Sequence, residues 1–231
     1  MKRIATIVSM VIICGFMSTE LNAQKVKSFS GLVTFSIKYE GDIDPMRLAN
    51  APKERIYTIA GNNTKYTVSG QGFVQHVVNI GDSSQNLMII DHPMQKLVIK
   101  KDREDFEEDF EYVDIKVVPS DETKTICGYA CKRYDIVVKD LEKESEIKVI
   151  CYTTEEIGVD ENINFETPGL KGYPLYQEQH IGEIKIITEA VKVKKKKIKP
   201  AEFLIPSGFE IISYDDYMEA VRASQNSGGG E

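Results

Sequence analysis

The sequence predicts a mainly β protein: a large curved antiparallel sheet, or half-barrel, of about eleven strands with few short helices. Three observations carry this. Apolar and polar residues alternate at period two through most of the chain. The alternating pieces are short and recur at hairpin spacing, punctuated by Gly, Asn, Asp and Pro. A sheet of so many strands curls rather than staying flat.

The first residues are not part of that sheet. Lys2 and Arg3 precede an apolar run from Ile4 to Met17, then a short polar stretch ends at Ala23, which is the layout of a secretory signal peptide. The run is shorter than the roughly 20 residues of a membrane-spanning helix, and no second one follows, so no transmembrane segment is expected in the mature chain. Residues 1–23 are therefore read as a leader. Ile13 is too bulky for lipoprotein processing at Cys14. Cleavage removes Lys2, Arg3 and Glu20, which leaves 27 basic and 35 acidic residues and a net charge of −8. Such an acidic chain is not expected to seek nucleic acid.

Residues 24–213 read as one β domain. In "FSGLVTFSIKYEG" Phe35, Ile37 and Tyr39 share a face with Phe29 and Val33. Asp44 and Pro45 predict a helix start. "RIYTIAGNNTKYTVSG" is a hairpin turning at Gly61-Asn62-Asn63. "FVQHVVNI", "LMIID" and "KLVIK" follow as strands, with Val74, His76 and Val78 expected to face inward and His92 expected in a turn. "KKDREDFEEDFEY" carries seven carboxylates between Asp102 and Glu111, too many to bury, so it reads as a solvated loop or short helix anchored by Phe106 and Phe110.

"YVDIKVV", "CKRYDIVVK" and "SEIKVICYT" resume the sheet, the last two as a hairpin with Tyr134, Ile136 and Val149 inward and Cys131 outward. Three cysteines, Cys127, Cys131 and Cys151, remain after cleavage, and one disulfide with one spare thiol is expected, its connectivity open. "TPGLKGYPLYQEQH" bends at Pro168-Gly169 and Gly172, offers Leu170, Tyr173, Pro174 and Leu175 as apolar anchors, and enters a strand. In "KVKKKKIK", Lys192 and Lys194 form the solvent side of a strand and the rest guard a sheet edge. Ser213 caps a C-terminal helix over 214–225, and 226–231 should be a disordered tail.

The strings "KTICGYACKRYDI", "CYTTEE", "PGLKGYPLYQE" and "FLIPSGFEII" resemble a group of exported proteins of Gram-negative bacteria. Gly128, Tyr129, Cys131 and Tyr134 match its first motif, and Tyr152 and Thr153 its second. Gly172, Pro174 and Leu175 match the third, and Phe203, Ile205, Pro206, Gly208 and Phe209 the last. Cys151 stands where a tryptophan is usual and Cys127 is extra. By architecture the group resembles the LolA/LolB lipoprotein carriers, whose curved sheet is lined with apolar side chains. The resemblance implies a LolA-like fold and a periplasmic location, free or peripheral to the outer membrane.

No nucleophile elbow, zincin or phosphate-loop motif is present, and the three histidines are widely spaced. The reading is an exported, non-catalytic binding protein without cofactor or metal, holding a lipid or the acyl chain of a lipoprotein. Phe35, Ile37, Tyr39, Val74, Tyr134, Ile136 and Val149 would line the site, with Leu170, Tyr173, Pro174 and Leu175 at its rim. The alternative is a structural or interaction protein with a filled core and an envelope protein as partner.

Overall fold

The structure is a computed structural model that describes residues 28–70, 73–143, 145–157 and 161–227. The leader, Cys14 and residues 228–231 lie outside the described residues, so the expectations for a signal peptide and for most of the tail fall there.

Among the described residues period-two alternation produces twelve strands: β1 (Ser30–Glu40), β2 (Glu54–Ala60), β3 (Asn63–Gly70), β4 (Phe73–Ile80), β5 (Gln85–His92) and β6 (Gln95–Lys101). After a helix come β7 (Val113–Ile126), β8 (Tyr129–Asp140), β9 (Ser145–Thr154), β10 (Tyr173–Ile181), β11 (Ile184–Lys195) and β12 (Glu210–Ser213). The helices are α1 (Pro45–Asn50), α2 (Arg103–Glu111) and α3 (Tyr214–Ser227). Each helix starts on a polar cap. The Asp44 carboxylate accepts from the amides of Met46 and Arg47, and Ser213 Oγ accepts from Asp216 N. Asp102 and Asp105 form a reciprocal capping box on α2.

All strands join one sheet in the order β12-β6-β5-β4-β3-β2-β1-β11-β10-β9-β8-β7, antiparallel except for β12, which runs parallel to β6. The sheet is strongly rolled without closing into a barrel, and chain lengths show why. β6 and β7 stand ten strand spacings apart in the order, about 48 Å if flat, yet the nine-residue α2, about 14 Å long, links them. A second tie runs across the inside. Glu166 accepts hydrogen bonds from Asn79 on β4 and Asn86 on β5. Leu170, only four residues later, packs on Tyr134 and Ile136 of β8 and Val149 of β9. Four residues reach at most about 14 Å, so the inner faces of β4 and β9 confront one another.

The registers sort side chains onto that inner face and an outer one. Phe35 lies opposite Arg55, Tyr57 opposite Tyr66, Tyr66 opposite Val77, and Val77 opposite Met88, all inward. On the other flank Thr188, Gln177, Cys151 and Tyr134 continue the inward row. Val74, His76 and Val78 therefore point outward, contrary to the sequence reading. The outer face of β4 carries Val74, Val78 and Ile80 because it too is covered, while the inner face mixes Val77 with Gln75 and Asn79. The crossover from β11 to β12 passes over it and buries Val78, Leu87, Ile89 and Val98 beneath Phe203, with Ile198, Ile205 and Phe209 alongside.

Three other expectations are corrected. β11 is central, between β1 and β10, so its lysines guard no edge; Lys192 and Lys194 pair with Thr34 and Leu32 on the outer face. β7 runs on through Pro119, where the register slips before Thr123, to a two-residue turn at Cys127-Gly128 with φ of +50° and +84°. Past that slip the hairpin end folds back over the outer face. Lys124 Nζ sits 3.1 Å from Glu189 Oε1 on β11 and 4.4 Å above the Tyr176 ring, and Cys127 Sγ donates to Ala190 O at 3.2 Å. Cys131, which parity places in solvent, is buried in the core cluster with Ile126, Ile157 and Leu175. Cys127, Cys131 and Cys151 are all free thiols, in place of the expected single bridge.

Candidate functional site: the inner face of the rolled sheet

The 155–172 connection fills one end of the roll. Its local structure follows from Gly172, whose φ of +76° is open to glycine, and where an added Cβ would lie 2.8 Å from the Thr154 carbonyl carbon. Asn164 ties the bend together by donating to the carbonyls of Leu170 and Gly172. Thr153 Oγ1 donates to Lys171 O at 2.6 Å. So held, Leu170 inserts between the strands and is 2% exposed. Phe165 meets Phe106 of α2 edge-on at 5.1 Å, locking the connection to the seam of the roll.

Beneath the connection lies a cavity of about 200 Å³, lined by Phe35, Tyr57, Thr64, Asn164, Glu166, Tyr173, Gln177 and Thr188 among others. It is smaller than the 300–1,000 Å³ usual for ligand pockets. Glu166 stands at its mouth, open to solvent on one side. Crowding by protein raises its carboxyl pKa above the ordinary value, against the opposing hydrogen bonds from Asn79 and Asn86.

Among the described residues the other end of the roll has no such filling. There Tyr66, Val68, Val77, Met88 and Ile90 form a half-buried row on β3, β4 and β5, and Ile115, Val138 and Ile147 share the inner face on β7, β8 and β9. At the head of this row Arg55 lies half-buried among phenols. Its guanidinium carbon is 4.6 Å from the centre of the Tyr66 ring, and Nη1 donates to Tyr57 Oη at 3.5 Å. Burial works against its charge, but Tyr57, Tyr66 and Tyr39 outweigh it and leave its pKa above the usual guanidinium value.

The sequence-predicted lining is thus divided. Phe35, Ile37, Tyr134, Ile136 and Val149 face inward and are buried, largely under the connection. Tyr39 is half-buried, its hydroxyl donating to Pro52 O at 3.0 Å. Tyr173 and Leu175 are buried in the core cluster of Phe29, Val33 and Ile59, and Pro174 lines the small cavity. Val74 is 36% exposed on the outer face. Sequence reasoning missed Arg55, Tyr57, Tyr66, Val77 and Met88; the alternation of Arg55, Tyr57 and Ile59 in "ERIYTIA" was the available signal.

His76 and His180 lie on the outer face, and His92 ends β5 at its hairpin turn. His76 Nδ1 shares a hydrogen bond with Thr67 Oγ1 at 2.8 Å, His92 Nδ1 accepts from Met94 N, and His180 Nε2 meets Glu178 Oε1 at 2.8 Å. Burial raises the Cys131 thiol to about 11 and the Cys151 thiol to about 12, which keeps both protonated. Among the described residues no helix is long and apolar enough to cross a membrane. No protein-family model matches the chain, and no curated protein matches it.

Proposed function

We propose that the protein is an exported, periplasmic, non-catalytic binding protein that holds an apolar ligand, a lipid or the acyl chain of a lipoprotein, inside its rolled sheet. The observation that carries this reading is the half-buried apolar row of Tyr66, Val68, Val77, Met88 and Ile90 at the unfilled end of the roll. A chain laid along it would bury apolar surface worth about 25 cal/mol per Å². The resemblance to LolA/LolB carriers supports the same use of the face. Native mass spectrometry of protein purified from its own envelope tests it. A co-purifying lipid that detergent exchange removes supports the proposal, and protein that is ligand-free in every preparation argues against it.

A second reading, a structural or interaction protein with a filled core, draws on the other end. Leu170 is 2% exposed there and the residual cavity is about 200 Å³, below ligand size. In that reading a protein partner in the envelope meets the outer face or the free edge of β7.

A further inference from the structure

We infer that Arg55 receives the anionic head of a single-chain amphiphile whose hydrocarbon lies along the row of β3, β4 and β5; this rests on the binding reading above and specifies its ligand. Arg55 sits opposite Phe35 on the inner face, so its side chain enters the roll rather than the solvent outside it. Among the described residues the groups that touch it or act on its charge are the phenols of Tyr57, Tyr66 and Tyr39, with no carboxylate among them. The contrast with Arg133 is direct. That arginine, also half-buried, is neutralised by Glu122 and Asp135, each at 2.8 Å.

A guanidinium offers five N–H donors in a planar fork suited to a carboxylate or phosphate. Tyr57 engages one of them at 3.5 Å, a long hydrogen bond, and the guanidinium carbon lies 4.6 Å over the Tyr66 ring, a contact that consumes no donor. The cation is thereby oriented and partly desolvated without being neutralised, which favours an anionic oxygen from outside the chain. The apolar row begins beside it, since Tyr66 lies opposite both Tyr57 and Val77, and Val77 opposite Met88. A head at Arg55 therefore has a place for its tail. A free anion would leave that row uncovered, so an amphiphile fits better than phosphate alone.

Isothermal titration of residues 24–231 with decanoate, 1-decanol and acetate tests the assignment. Decanoate should bind roughly ten- to hundredfold more tightly than decanol, the increment of a charged hydrogen bond, and acetate below detection. In Arg55→Met decanoate should fall to the decanol level while decanol is unchanged, and Arg55→Lys should keep part of the preference. Equal binding of decanoate and decanol by the unsubstituted protein overturns the assignment and leaves the binding proposal standing. A preference that survives in folded Arg55→Met overturns it too. If neither chain binds, both proposals fail. Circular dichroism checks each variant, and if Arg55→Met does not fold, Arg55→Lys and the unsubstituted protein decide.

Discussion

Leu170 separates the two readings of the interior. It packs on Tyr134, Ile136, Val149 and Cys151, so Leu170→Ala should cost about 2–5 kcal/mol in urea unfolding. Leu170→Asp goes further by placing a carboxylate there. If that variant stays folded but loses ligand, the connection is a lid; if it unfolds, the connection is a plug. Glu166 gives a pH-dependent test of the same segment. Its folded pKa is raised, so the folded state holds the proton more tightly than the unfolded chain. Its contribution to stability is therefore most favourable below the ordinary carboxylate pKa of 4.5 and declines as pH rises through the raised value. Glu166→Gln should remove that decline, read as a flatter melting temperature between pH 4 and 7. The same slope in both proteins would assign the pH dependence to other groups. Thiol chemistry reports on burial independently. Cys127 is exposed at its hairpin turn, while Cys131 and Cys151 are buried with raised pKa values. Ellman's reagent at pH 8 should count one thiol per native mature chain and three after denaturation; three fast thiols in the native protein would contradict this burial.

At the scale of elements, the crossover from β11 to β12 acts as a strap across the outer face. Phe203, 3% exposed, is its anchor over Val78, Leu87, Ile89 and Val98, and Lys65 Nζ donates to Glu202 O at 3.2 Å beside it. β12 is only four residues long and pairs with β6 alone, so its attachment depends on the strap behind it. Phe203→Ala should cost about 3–5 kcal/mol. It should also raise amide hydrogen exchange in β12 and β6 before it does so in β8 and β9. Uniform acceleration would mean that the sheet opens as one unit. The strap also explains where alternation misled. In β4 the outer face, with Val74, Val78 and Ile80, is more apolar than the inner one, where Gln75 and Asn79 flank Val77, so polarity alone points the strand the wrong way. The sequence indicates which residues share a face; which face is inside depends on a segment more than a hundred residues away.

Over the whole molecule, the legible features were local and the hidden ones depended on strand order. Phe35, Ile37 and Tyr39, and Tyr134, Ile136 and Val149, were assigned to the inner face from period two alone. Arg55, Tyr57 and Tyr66 form a cradle only because β2 lies between β1 and β3 with a particular register. The central place of β11 likewise follows from its pairing with β1, about 150 residues earlier, which no local pattern announces. That long-range closure makes a final prediction. β1 to β6 form an unbroken up-and-down meander, yet β1 obtains its second neighbour from β11 and the outer face of β4 to β6 obtains its cover from the strap. A chain ending at Lys195 keeps β11 and loses only the strap, β12 and α3. It should retain the β-sheet part of its far-ultraviolet circular dichroism, less the helical signal of α3, but expose Val78, Leu87, Ile89 and Val98 as one apolar patch. Binding of anilinonaphthalene sulfonate and concentration-dependent association in sedimentation should follow, while a chain ending at Ser213, which removes α3 alone, should show neither. A Lys195-terminated chain that stays monomeric and melts with the intact protein would show that the rolled sheet is complete without its strap.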